Sequence, residues 1–320
     1  MNAPCPTPLE RFLDGFDSPA CEVHLQVKRD DLYPVCGGGN KGRKLRRFLQ
    51  GIADRQQNAV VTNGGLQSNH ARAVALAAAK RGWRCRLVLH GDPERLRAPT
   101  GNLLLMMLAG AEITLVKPED MAEALDAAMD GFHLSGLCPC QIPGGGHSIE
   151  GSAAYADAID ELADQAGDWR PDFIVLASGT GTTQAGILAG VERRGWKTRV
   201  IGISVGRRNP RGTDVTRQAY DELRSRLRLA GAPLPVEFRD EWIGDGYEQP
   251  CCEVFDTIRR VARTSGLILD PTYTGKAFRG LESLVRSGEI TAGSRVIFWH
   301  TGGLLNLMAF SCFPTTGDQS

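Results

Sequence analysis

Lys41 is the residue whose surroundings suggest chemistry first. It sits in RDDLYPVCGGGNKGRKLRRFL, at the mouth of a glycine loop and the start of a helix. Gly37, Gly39 and Gly42 make a formal G-x-G-x-x-G, but no strand runs directly into it. A dinucleotide fold also wants an acidic residue about 20 positions onward, where this chain has Thr62 and Asn63. Nor is the loop a nucleotide-triphosphate motif, because Arg43 stands where that motif needs lysine. What remains is an amine placed for a Schiff base, since a desolvated lysine beside the cations Arg43 and Lys44 would lose its proton readily. The plainer reading of one such lysine is a solvated surface residue.

Two more loops lie between an apolar run and a helical pattern. In AVVTNGGLQSNHARAVALAAAKRG a helix opens at Ser68 or Asn69, and free N–H groups beside their side chains suit a carboxylate or phosphate. Simple N-capping by Ser68 would explain the same residues. In FIVLASGTGTTQAGILAG the run Gly179, Thr180, Gly181, Thr182, Thr183 offers consecutive N–H groups and three hydroxyls, suited to a dianionic phosphate.

The elements that must hold these loops alternate. Val23–Val27, Ala59–Thr62, Arg86–Leu89, Glu112–Leu115, Phe173–Ala177, Arg199–Val205 and Val296–His300 read as buried strands. Leu45–Ala53, Asn69–Arg81, Gly101–Ala109, Pro118–Met129, Gly151–Ala166 and Thr183–Arg194 have helical spacing. This rhythm predicts an α/β fold of three-layer αβα units around twisted, mostly parallel sheets, with ligands at the carboxyl ends of strands. At 320 residues, two lobes are expected rather than one core. The Arg-rich stretch Gly206–Leu234 breaks the rhythm and reads as a surface insertion or helix pair.

Lys plus Arg equals Asp plus Glu, 37 each, so no global field favours nucleic acid or an anionic membrane, and a small partner is expected. The longest apolar run, Leu103–Ala111, is too short to span a bilayer, and the N-terminal segment lacks the pattern of a signal peptide. A cytoplasmic location is the expectation. Nine cysteines argue against a disulfide framework. Cys138, Cys140, Cys251 and Cys252 lack a second Cys/His pair at zinc-like spacing, so they read as buried thiols, with no metal.

GGGNKGRKLRRFL, GGLQSNHARAVALAAAKRG, LILDPTYTGKAFRGL and IFWHTGGLLNLMAF occur in that order. Together they resemble the D-cysteine desulfhydrase and 1-aminocyclopropane-1-carboxylate deaminase family, fold type II pyridoxal-phosphate enzymes related to the tryptophan synthase β-subunit. The similarity runs from TPLERF to Phe310. It implies pyridoxal 5'-phosphate as cofactor, a small amino-acid substrate and a homodimer. It implies a small lobe at 45–150 that moves over the cofactor, and a larger lobe from 1–44 and 151–320. By this resemblance Lys41 carries the cofactor and shuttles the α-proton, and Lys44 and Gly179–Thr183 hold its phosphate. Asn69 meets the ring hydroxyl, Thr301 the pyridine nitrogen. Ser68, with the backbone of Asn69 and His70, takes the substrate carboxylate, and Tyr273 and Tyr247 face the substrate.

The deaminase branch places glutamate directly after the tyrosine matched by Tyr273, and this chain has Thr274. A hydroxyl at Thr301 leaves the ring nitrogen largely unprotonated, which suits elimination of a good leaving group. The expected reaction is α,β-elimination from a small β-substituted amino acid, giving pyruvate and ammonia. The alternatives are a β-replacement synthase working from the same aminoacrylate, the deaminase itself, and a non-catalytic binding protein. Against the desulfhydrase pattern the chain departs at Gln184 for His, Thr182 for Gly, Glu248 for Gly and Phe310 for Tyr. His147 and Glu150 also stand where the family has small and then apolar residues. Several of these are expected to flank the substrate pocket, which puts D-cysteine itself in doubt.

Overall fold

The computed structural model describes residues 6–12, 23–52 and 56–310. Two sheets organise them. The larger contains β1 (Leu9–Arg11), β2 (His24–Arg29), β7 (Phe173–Ser178), β8 (Arg199–Ser204), β9 (Glu237–Arg239) and β10 (Arg295–His300). Its order is β1-β2-β10-β7-β8-β9, parallel throughout except for β1 against β2. The smaller has the order β5-β4-β3-β6, all parallel, from β3 (Ala59–Gly65), β4 (Arg84–His90), β5 (Glu112–Leu115) and β6 (Pro139–Gln141).

Helices cover both faces. They are α1 (Gly39–Gly51), α2 (Asn69–Arg81), α3 (Gly101–Leu108), α4 (Met121–Leu134), α5 (Ile149–Ala166), α6 (Thr182–Arg193), α7 (Arg211–Leu227), α8 (Cys252–Ser265), α9 (Thr274–Arg286) and α10 (Leu304–Met308). Every residue of β7 is buried, as expected of a central parallel strand. On one face Val175 joins Phe278 and Leu281 of α9 and Val254 and Ile258 of α8; on the other Ile174 and Leu176 join Tyr155 of α5 and Ile187 of α6. The smaller sheet is covered by the alanine-rich face of α2, with Leu103 and Met106 of α3, and on its other side by Leu125, Ala128 and Phe132 of α4.

A buried polar knot ties Thr7, the end of β2, α5 and β10 to α1. Asp30 accepts hydrogen bonds from Thr7, from Arg43 twice, from Tyr155 (2.6 Å) and from the Trp299 indole (2.9 Å). Glu161 adds contacts to Arg43 (2.7 Å) and Lys28 (2.5 Å). Burial alone would raise the Asp30 carboxyl, but Arg43 and the neutral donors hold it below its ordinary value.

Three expectations change. Helix α1 begins at Gly39, not Leu45, so Lys41 lies in its first turn; the predicted end at Ala53 lies outside the described residues. The Gly206–Leu234 stretch holds one helix, α7, and it is no surface insertion: Ala219, Tyr220 and Leu223 pack into the core beside α6. The cysteines read as buried are not, because Cys138 and Cys252 are exposed and Cys140 and Cys251 partly so. Cys138 and Cys140 stand at the edge strand β6, and Cys251 and Cys252 at the start of α8. Among the described residues no helix is long and apolar enough to cross a membrane.

Candidate active site

One cavity of about 510 Å³ opens at the carboxyl ends of the parallel strands of both sheets. The N-terminal turns of α1, α2 and α6 all converge on it, bringing Lys41, Asn69 and Thr183 to its wall. Each turn carries unpaired N–H groups and the positive end of a helix dipole. Lys44 and Arg207 also line it, and among the described residues no carboxylate does. The site is therefore built for anions.

The expected site residues meet here with one exception. Lys41, Lys44, Ser68, Asn69, His70, Gly179, Thr180, Gly181, Thr183, Tyr247, Tyr273 and Thr301 all line the cavity. Thr182 does not; it is buried behind Thr180, with its hydroxyl 3.0 Å from that of Thr180.

Burial lowers the Lys41 amine to about 8. Arg43 contributes nothing to that shift, contrary to the sequence expectation, because its guanidinium turns to Asp30 and Glu161 and stacks over Tyr33. Lys44 is 2% exposed and held well below the ordinary lysine value by burial and then by Lys41. Among the described residues neither lysine has an acidic partner. A bound dianion would supply the missing charge.

The Ser68 hydroxyl caps α2, accepting from Ala71 N–H at 3.1 Å, and keeps its own hydrogen for a ligand. Capping and ligand binding are thus compatible. The Asn69 amide is pinned between Asn306 (2.6 Å) and Asn102 (3.1 Å). His70 has a defined tautomer. Thr62 donates its one hydrogen to the Ile142 carbonyl at 2.6 Å, so its oxygen accepts from His70 Nε2–H at 3.1 Å. Nδ1 is left as a buried acceptor without a partner, and burial with Lys41 and Lys44 drives the imidazole to about 3, keeping it neutral.

Tyr247 and Tyr273 stand edge to face, ring centroids 6.0 Å apart, with their hydroxyls hydrogen-bonded. Tyr247 is 44% exposed at the cavity mouth but turns its hydroxyl inward. Burial raises both phenols; for Tyr247 the Glu248 carboxylate adds to it. Buried Lys276 fastens the Tyr247 loop by donating to the Gly246 (2.7 Å) and Val205 (3.2 Å) carbonyls. Thr274 faces away from the cavity: its hydroxyl bonds Asp270 at 2.8 Å, and Asp270 also takes the N–H groups of Thr272, Tyr273 and Thr274.

Sequence reasoning missed Asn63, His90, Ser178 and Arg207, which also line the cavity. The signal that could have found two of them is glycine, since Gly65 lies against His90 and Gly144 against Asn63; nothing marks Arg207, which donates to the Gly179 carbonyl at 2.5 Å. Of the departures, Gln184 and Phe310 lie off the pocket. Gln184 is fully buried and donates to the Glu237 carbonyl at 2.7 Å, while Phe310 packs on Phe255.

A cavity with a buried, partly deprotonated lysine, a second lysine and three helix N-termini fits a phosphorylated aldehyde. Residues 2–302 match the model of the pyridoxal-phosphate dependent enzyme family. The chain belongs to that family. It is 36% identical over 312 residues to a putative 1-aminocyclopropane-1-carboxylate deaminase of Thermotoga maritima, covering 96% of each chain. It is 33% identical over 310 residues to a D-cysteine desulfhydrase of Yersinia enterocolitica, covering 95% of this chain and 93% of the relative. The crystal structure of a homologue of the deaminase superposes with a TM-score of 0.85 at 34% identity, covering 95% of this chain and 91% of the other. The protein is thus a fold type II enzyme of the deaminase and desulfhydrase group, and its cofactor is pyridoxal 5'-phosphate.

Proposed function

We propose that the enzyme removes the β-substituent of a small amino acid of the D-cysteine type, releasing pyruvate and ammonia. The observation that carries this reading is that the cavity brings Lys41, two tyrosines and the Thr301 hydroxyl together and that, among the described residues, no carboxylate lines it. When bound, the cofactor supplies an electron sink for the pair left at Cα when its proton departs. A hydroxyl partner leaves that sink weaker than a carboxylate would. A productive substrate must then shed its β-group readily. Thr274 does not compensate, because its hydroxyl is engaged by Asp270.

The chain's own groups divide the remaining work. Lys41 holds the cofactor and, once displaced by substrate, takes the α-proton at Nζ. Lys44, Arg207 and the turn Gly179–Thr183 hold the phosphate, with Thr182 acting from behind the wall. Asn69, fixed by Asn102 and Asn306, orients the ring hydroxyl. The Ser68 O–H and the N–H groups of Asn69 and His70 hold the substrate carboxylate at the positive end of α2. Tyr247 and Tyr273 share a hydrogen bond beside the β-carbon and keep a proton for the leaving group, since burial holds both phenols neutral. Residues 45–150 form the lobe that closes over the cleft in this reading. A cytoplasmic homodimer belongs to the same proposal; apolar Leu108, Leu304 and Met308 stand exposed on α3 and α10.

The test is a panel of D- and L-β-substituted alanines with pyruvate release as readout. Substrates with thiol or chloride leaving groups should turn over, and 1-aminocyclopropane-1-carboxylate should be nearly inert. Rapid opening of the cyclopropane would overturn the proposal. Turnover only with an added nucleophile would make the enzyme a synthase instead.

A further inference from the structure

Two positions at which the chain departs from the desulfhydrase pattern, His147 and Thr182, lie 35 residues apart and touch. His147 Nδ1 stands 2.8 Å from Thr182 Oγ1, and Thr182 Oγ1 stands 3.0 Å from Thr180 Oγ1. Thr180 lines the cavity, Thr182 is buried behind it, and His147 sits at the surface just before α5. The three side chains form a line from solvent to the cavity wall.

Local structure holds that line in place. Gly145 has φ +70, and a Cβ there would come within 2.8 Å of the Thr180 methyl, so the glycine turn before His147 presses on the phosphate loop. Gly181 has φ +77, and a Cβ there would strike the Thr216 hydroxyl at 2.3 Å. The loop therefore has little room to turn either threonine aside.

Each hydroxyl carries one hydrogen, so the line has a direction. With Nδ1 bare, Thr182 donates to His147, Thr180 donates to Thr182, and only lone pairs of Thr180 face the cavity. With a hydrogen on Nδ1, His147 donates to Thr182, Thr182 donates to Thr180, and the Thr180 hydrogen is free for an anion. A bound phosphate favours the second direction, because a donor to an ionised oxygen forms a strong bond and a lone pair is repelled. We propose that His147 and Thr182 are positioning residues that turn the Thr180 hydroxyl toward the cofactor phosphate.

The inference rests on the reading that the phosphate lies at Gly179–Thr183. It needs no titration. Burial first, then Lys44 of α1 and Arg207 after β8, hold His147 below its ordinary value, and Glu222 of α7 opposes them. The neutral imidazole can carry its one hydrogen on Nδ1.

The test uses the full chain stripped of cofactor and titrated with pyridoxal 5'-phosphate, and separately with pyridoxal, which lacks the phosphate. His147→Ala and Thr182→Val should each weaken the phosphorylated probe about tenfold, the scale of one charge-assisted hydrogen bond. Neither should change pyridoxal binding, and the double variant should be no weaker than either single one. His147→Asn and Thr182→Ser, which keep a donor at each step, should retain wild-type affinity. Unchanged affinity, equal losses for both probes, or additive losses in the double variant would each overturn the relay. A wild-type chain that binds neither probe would overturn the cofactor site itself, and the relay with it.

Discussion

The cleanest handle on the site is the charge of Lys41 before the cofactor arrives. Only the free amine attacks an aldehyde, and burial places its pKa at about 8 rather than the ordinary 10.5. At pH 7 that leaves about one molecule in ten reactive, against roughly one in 3,000 for a solvated lysine, an advantage of about 300-fold. The perturbation is pH, applied to chain stripped of cofactor. The assay is the second-order rate of cofactor attachment, followed by absorbance at limiting cofactor, where the profile reports the free protein rather than the complex. The rate should climb about tenfold per pH unit and level off above about pH 8. Borohydride trapping and peptide mapping should place the adduct on Lys41. A rate that keeps climbing to pH 10, or an adduct on Lys44, would refute the argument that burial prepares this amine.

Two other substitutions probe the substrate end and the scaffold. Ser68→Ala should lower turnover and raise KM while leaving cofactor affinity nearly intact, with a stability loss of about 1 kcal/mol from the missing cap of α2; an equal loss of cofactor affinity would show that Ser68 serves the cofactor instead. Asp30→Ala should cost about 3 kcal/mol, because it leaves the Tyr155 hydroxyl and the Trp299 indole without their acceptor and takes from Arg43 one of its two carboxylate partners, and thermal unfolding should shift down by about 5 °C. The sign with pH follows from the lowered Asp30 pKa. Its contribution is fully present above the unfolded value of 3.8 and is lost as pH falls through the lower folded value, so variant and parent should converge in acid. A constant gap down to that range would contradict the assignment.

Most strands legible in the sequence are apolar runs buried by the fold, although Glu112–Leu115, read as buried, is the edge strand β5 and has no buried residue. β7 and β10 are continuous apolar runs, and a parallel strand covered by helices leaves no other pattern. The three-residue strands β1, β6 and β9 carry too few side chains to show a period, and they pair at or near sheet edges, where half of each strand is polar. Helix α8 was missed although Val254, Phe255, Ile258 and Val261 have helical spacing, because the paired cysteines at its start drew attention to ligands instead. Helix α9 was hidden in a motif. The segment holding Tyr273 stands out in the sequence only for its resemblance; in it residues 271–273 form a turn, and Asp270 gathers the N–H groups of residues 272–274 and starts a helix from it.

The site was legible to the extent that its chemistry lies in the backbone. Glycine and hydroxyl runs at helix starts announce anion binding, since the groups that bind are N–H donors present at every residue and the side chains need only stay small. That is why Gly179–Thr183 and Ser68–His70 could be found without a structure. Groups that act through a long side chain from elsewhere leave no such mark. Arg207 reaches the Gly179 carbonyl from beyond β8, out of an Arg-rich stretch that looked like surface. Arg43 was credited to Lys41 because the two are close in sequence, yet a helix sends residues two apart to different faces, and Arg43 belongs to Asp30. His147 and Thr182 show the remaining kind of signal. Each alone is an unexplained departure; together, at 2.8 Å, they make a single contact behind the cavity wall. Glu248, next to Tyr247 but not on the cavity wall, has a carboxylate oxygen buried without a partner, in a backbone with φ +61 that glycine would adopt without strain. The strain and the missing hydrogen bond both oppose folding, so the residue stands there at a cost to stability.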